Sequence, residues 1–145
     1  MPATTTAVNA AGCKISLADE TSTMRDISGS LNKAEIKFKN DLGEFGVFGD
    51  NATYRTERLV DAEVELTIIF STTANEGFDI LKRWQALRGR RQLIIDVPVS
   101  STGADRYTGN FRYGDLNIPL NAEEAKPIMV TANLKADGPV TRSTI

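Results

Sequence analysis

The chain has no histidine and a single cysteine among its 145 residues. Without histidine it lacks the commonest general base, the commonest nitrogen ligand for metals, and every serine–histidine or cysteine–histidine nucleophile. Cys13 alone closes no intrachain disulfide and builds no thiolate cluster, and its place in an alternating apolar run reads as that of a small hydrophobe. Basic excess is missing as well: 17 Lys and Arg face 19 Asp and Glu, so no counterion-displacing surface for nucleic acid is expected. Nowhere do the roughly 18 uncharged apolar residues of a membrane span follow one another. The opening MPATTTAVNAAG has no basic stretch leading into an apolar one, so a soluble, unexported chain without a membrane anchor is expected. GxGxxG and Gly-Lys-Ser/Thr phosphate loops are absent. These gaps point away from an enzyme and imply no cofactor and no metal.

What the sequence has in quantity is two-residue alternation. Ile15 and Leu17 alternate with polar neighbours, as do Ala34, Ile36 and Phe38 against Lys33, Glu35, Lys37 and Lys39; both runs read as half-buried strands. The most regular strand runs from Leu59 to Phe70, with Val60, Ala62, Val64, Leu66, Ile68 and Phe70 on one face and Asp61, Glu63, Glu65 and Thr67 on the other. Three further β segments are expected at 92–99, 106–118 and 127–136. Between strands, Phe78, Leu81, Trp84 and Leu87 recur at helical spacing behind a Thr73…Glu76 capping box. Gly89 follows as a stop signal, so one amphipathic helix is expected over 73–88. The order implies an α+β, mainly β domain over 12–136: a β-sandwich or partly open barrel with one packed α-helix. Residues 1–11 read as a flexible N-terminal arm and 137–145 as a C-terminal tail.

Residues 40–57 depart from this regularity. Gly43, Gly46 and Gly49 punctuate Phe45, Val47 and Phe48, with Leu42 before them and Tyr54 after. Glycine at that density breaks regular structure, while the apolar side chains need cover; the segment reads as a long projecting loop or hairpin that docks on a neighbour. Arg88, Arg90 and Arg91 form a short basic cluster at the expected helix end, suited to capping and to ion pairs between subunits. Asp61, Glu63 and Glu65 share a strand face, and a solvated or lumen-lining acidic surface explains them better than paired catalytic carboxylates or a cation site.

Asp26-Ile27-Ser28-Gly29 entering a strand, the glycine- and aromatic-rich stretch Asn40 to Tyr54, the acidic-faced strand Leu59 to Phe70 and the single helix Thr73 to Arg88 together resemble the major tail proteins, or tail tube proteins, of long-tailed bacteriophages. The resemblance covers most of the chain. It implies a structural virion protein whose subunits form rings, usually hexamers, stacked into a hollow tube that genomic DNA traverses without specific binding. It further implies assembly in the bacterial host cytoplasm, a place in the virion tail, and contact with tape measure, tail terminator and distal tail proteins. Under it, Asp61, Glu63 and Glu65 are candidates for the lumen. Leu42, Phe45, Val47, Phe48, Tyr54, Arg88, Arg90 and Arg91 are candidates for contacts between subunits or rings. Alternatives are the tube protein of a contractile tail or type VI secretion system, and a head-tail joining or capsid-decoration protein.

Overall fold

A computed structural model describes residues 12–97, 105–120 and 127–144, the side chains of 58–60 excepted. The expected arm over 1–11 and the last two residues of the β segment expected at 92–99 lie outside the described residues. The elements are β1 (Lys14–Ala18), β2 (Met24–Asp26), a 3-10 turn (Ser28–Ser30), β3 (Leu31–Phe45), β4 (Tyr54–Ile69), α1 (Gly77–Leu87), β5 (Arg90–Val97), β6 (Asp105–Asn117), β7 (Met129–Ala136) and β8 (Thr141–Thr144). All described strand pairs are antiparallel, in the order β2-β1-β5-β6-β7-β4-β3, with β8 beside β6. The mainly β, single-helix domain anticipated from alternation is thus present as one sheet.

The sheet curls, as the right-handed twist of strands favours. Leu31, Ala34 and Ile36 of β3 share a groove with Ile15 of β1 and Ile95 and Val97 of β5, although β3 and β1 are far apart in strand order. Farther along, the Phe38 ring lies 5.8 Å from that of Tyr107 on β6. The result is a partly open barrel whose seam lies between β3 and β1–β5.

The inward faces meet in one core. Val64, Leu66 and Ile68 of β4, Leu17 of β1, Leu93 of β5, Phe111 of β6, and Val130, Ala132 and Leu134 of β7 are almost fully buried. Helix α1 closes it with Phe78, Ile80, Leu81 and Trp84. Each such large side chain contributes roughly 1.5–3 kcal/mol on burial before the entropy of ordering is set against it. Trp84 is the largest; its Nε1–H donates to the Gly89 carbonyl at 2.9 Å, so its one polar atom is satisfied inside the core. Gly109 is fixed by close approach, since a Cβ there would sit 2.8 Å from Val140 Cγ2.

Several boundaries differ from expectation. The Thr73…Glu76 capping box does not form: Glu76 itself is the N-cap, without a side-chain cap bond, and Asn75, at φ 63°, breaks the path from Thr73. The carboxylate of Asp79 accepts the Asn75 N–H at 3.0 Å instead. Leu87, expected on the apolar face, is 64% exposed, because the helix ends there and turns away from the sheet. Residues 141–144, expected as tail, form β8, which pairs with 105–108 of β6, the stretch of that strand that β7 does not reach. The expected loop 40–57 is largely ladder: β3 and β4 pair up to Phe45 and Tyr54, leaving residues 46–53 as the connection.

Candidate assembly surface

The β3–β4 hairpin outruns its sheet. β4 pairs with β7 only from Glu63 onward, whereas its pairing with β3 continues back to Tyr54. At about 3.3 Å per residue, the unsupported part of β4 spans roughly 30 Å. A register shift between Asn40 and Leu42 lies within this projection, and such an irregularity bends and twists a strand pair.

The tip is ordered by its own contacts. The Phe45 and Tyr54 rings stack with centroids 5.7 Å apart, and Arg55 faces Glu44 at 3.5 Å. Gly49 adopts φ 84°, which a side chain would resist. The Asp50 carboxylate accepts the Ala52 N–H at 2.9 Å and the Tyr54 hydroxyl through a short bond. That hydroxyl holds the Asp50 carboxyl below its usual range, and the same bond raises the phenol of Tyr54. Leu42, Phe45, Val47 and Tyr54 each stay substantially exposed, and Phe48 is wholly so at 106%. Exposed apolar side chains are thus concentrated at the tip of the hairpin.

Asp61, Glu63 and Glu65 alternate with the buried Ala62, Val64 and Leu66 along β4, as the sequence pattern implies. The register adds what the pattern of one strand does not contain. Lys39 stands opposite Asp61, Lys37 opposite Glu63 and Glu35 opposite Glu65 on β3, while Lys135 stands opposite Glu63 on β7. Lys39 Nζ lies 3.5 Å from Glu63, and Lys37 and Lys33 lie within 3.8 Å of Glu35. The face is a lattice of mixed charge rather than an acidic stripe, with Glu35 opposite Glu65 its one like-charged pair across β3 and β4.

The three arginines diverge. Arg90 is exposed and donates to the Asp137 carbonyl at 2.8 Å, with its carboxylate at 3.3 Å. Arg91, expected at a subunit contact, points inward instead: it is only 6% exposed and lies 5.5 Å from the Trp84 ring centroid, because the pleat of β5 sends alternate residues to the core. Burial lowers the pKa of its guanidinium. Arg88 caps α1 at φ 59° and ψ −163°, a region suited to glycine, and its N–H donates to the Trp84 carbonyl at 2.6 Å.

Sequence patterns did not single out Tyr113. With Gln85, Arg88, Gly89 and Asp115 it lines a groove between the end of α1 and the C-terminal part of β6. Its hydroxyl is buried with no hydrogen-bond partner among the described residues, and burial pushes its pKa up to about 12. The signal was weak, for Tyr113 reads as one more alternating residue of β6.

No protein-family model matches the chain, and no curated protein matches it. Solved structures do. A chain in the tail of an empty gene transfer agent particle, refined with C6 symmetry, superposes with TM-score 0.74 at 11% identity, covering 94% of this chain and 99% of that one. A chain of the SPP1 tail tube gives 0.77 at 8% identity, covering 96% and 80%. One from the sheath–tube complex of the extracellular contractile injection system PVC gives 0.70 at 15%, covering 96% and 93%. The chain has the fold found in these tail and tube assemblies.

Proposed function

We propose that the chain is a tube-forming structural subunit that assembles with copies of itself into stacked rings enclosing a channel. The observation that carries this reading is the projecting β3–β4 hairpin with its exposed apolar tip, on a domain whose fold recurs in tail and tube assemblies. Such a tip is unfavourable in water and is satisfied by burial against protein. Self-association also provides for the edge of β3, which among the described residues pairs only with β4; joining it to a neighbour's edge extends the sheet and removes an exposed ladder. Lys33, Lys37 and Lys39 along β3 disfavour indiscriminate pairing at that edge. A six-membered ring is our reading of the ring size, supported by the C6 symmetry of the gene transfer agent tail.

In this reading the chain performs no catalysis, and its channel conducts DNA without holding it. Asp61, Glu63 and Glu65 face the lumen as members of the charge-balanced lattice, which offers phosphates no continuous basic track. A location in a virion tail follows, with tape measure, terminator and distal tail proteins as partners. The tube of a contractile injection system is the second reading, favoured by the match to the PVC sheath–tube complex. Negative-stain electron microscopy of the purified protein over a range of concentrations tests the assembly claim: rings or hollow tubes are expected, and a persistent monomer refutes it.

A further inference from the structure

We infer that the groove between the end of α1 and the C-terminal part of β6 is the receptor for the hairpin tip of a second copy of this chain, an inference that rests on the tube-forming reading. Donor and receptor are complementary. Residues 41–57 carry Asp41, Glu44, Asp50 and Glu57 against a single base, Arg55, and present Phe48 without cover. The groove, of about 520 Å³, presents Arg88, which forms no ion pair with a described residue, and Arg112, whose guanidinium is held by Asp137 at 2.8 Å; Asp115 is its one acid. Leu87, 64% exposed, adjoins Arg88 and gives an apolar rim. Inside, the Tyr113 hydroxyl is buried and unpartnered, which is unfavourable unless an incoming group satisfies it.

The strand register prevents a chain from filling its own groove. Tyr113 stands opposite Leu134, and Leu134 opposite Val64, so the groove is level with the middle of β4. The tip lies beyond Tyr54, roughly 30 Å or more along that strand at about 3.3 Å per residue. Two different surfaces at separate levels of one subunit make a head-to-tail contact, which repeats from copy to copy and yields a closed ring or an open stack according to its rotation, not a closed pair.

A benzophenone amino acid in place of Phe48 keeps an aromatic side chain at the tip and allows photo-crosslinking in assembled protein. Isotopically light and heavy chains are mixed before assembly so that mass spectrometry identifies links between copies. Links from position 48 to residues 85–89 or 112–116 of another copy are expected; links confined to other surfaces in well-formed assemblies overturn the inference while leaving the tube reading intact. In parallel, Arg88→Glu should raise the critical concentration for assembly at least tenfold, while Lys82→Glu, on the same helix outside the groove, should leave it unchanged. Equal effects of the two refute a specific role for the groove. Failure of the unmodified chain to assemble at any concentration refutes both the inference and the reading beneath it.

Discussion

Arg88→Gly should make the isolated subunit more stable and the assembly weaker, a combination that a purely structural helix cap does not produce. At φ 59° and ψ −163° the Cβ of Arg88 is crowded by its own backbone, and a non-glycine residue in this region costs on the order of 1–3 kcal/mol. Glycine removes that cost but adds unfolded-state freedom worth roughly 0.5–1 kcal/mol. The net gain is about 0.5–2 kcal/mol, or a few degrees in Tm for a chain of this length. No ion pair to a described residue is lost, and the N–H bond to the Trp84 carbonyl is kept by any residue but proline. Urea denaturation below the critical concentration measures the first effect, with the midpoint rising at constant slope. Sedimentation across a concentration series measures the second. A lower midpoint refutes the strain argument, and unchanged assembly refutes the groove's role.

Other perturbations separate core from contact surface. Phe48→Ser should leave the unfolding free energy within about 0.5 kcal/mol, the usual range for a solvated position, yet abolish assembly by light scattering. Trp84→Ala should cost about 3–5 kcal/mol by equilibrium unfolding, because it empties a fully buried site and removes the ring beneath Arg91. Gly109→Ala drives a methyl into Val140 and should cost about 1–3 kcal/mol, with faster hydrogen exchange in β8 as its local signature. Tyr113 has a folded-state pKa near 12, above its ordinary 10, so above pH 10 the unfolded chain loses a proton that the folded chain keeps. Stability should therefore fall as pH rises from 10 to 12, and Tyr113→Phe should flatten that part of the profile.

Legibility in the sequence followed the strength of each local signal. The β4 face and the Phe78, Leu81 and Trp84 stripe were readable because burial on one side forces a period of two or 3.6, and those positions line the core. The helix start was misplaced because capping-box spacing says nothing of the positive φ at Asn75 that separates Thr73 from α1. β8 was missed because TRST carries no apolar alternation; its strand character comes from the unpaired stretch of β6. Residues 40–57 read as a projecting loop or hairpin, and their glycines hid the ladder from Asn40 to Phe45, since cross-strand pairing is a property of two segments. For the same reason the lysines of β3 and the acids of β4 read as separate faces, and only the register brings them together.

That register changes how a channel built from such subunits would repel DNA. A purely acidic lumen repels phosphate over about a Debye length, roughly 8 Å at physiological salt, and weakens as salt rises. In this lattice Glu63 stands among Lys39, Lys37 and Lys135; Lys39 is engaged by Glu63 and Lys37 by Glu35, so phosphate must compete with carboxylates for both. Passage would then depend on pairing rather than on bulk charge. Glu63→Gln is the sharper test than wholesale charge reversal, because it removes one acid and releases Lys39 without adding a base. If this face lines the channel, assembled Glu63→Gln tubes should retain short duplex DNA in a salt-sensitive manner while unmodified tubes do not. Equal retention by both would place the lattice on the outside of the tube or make the pairing irrelevant to transit.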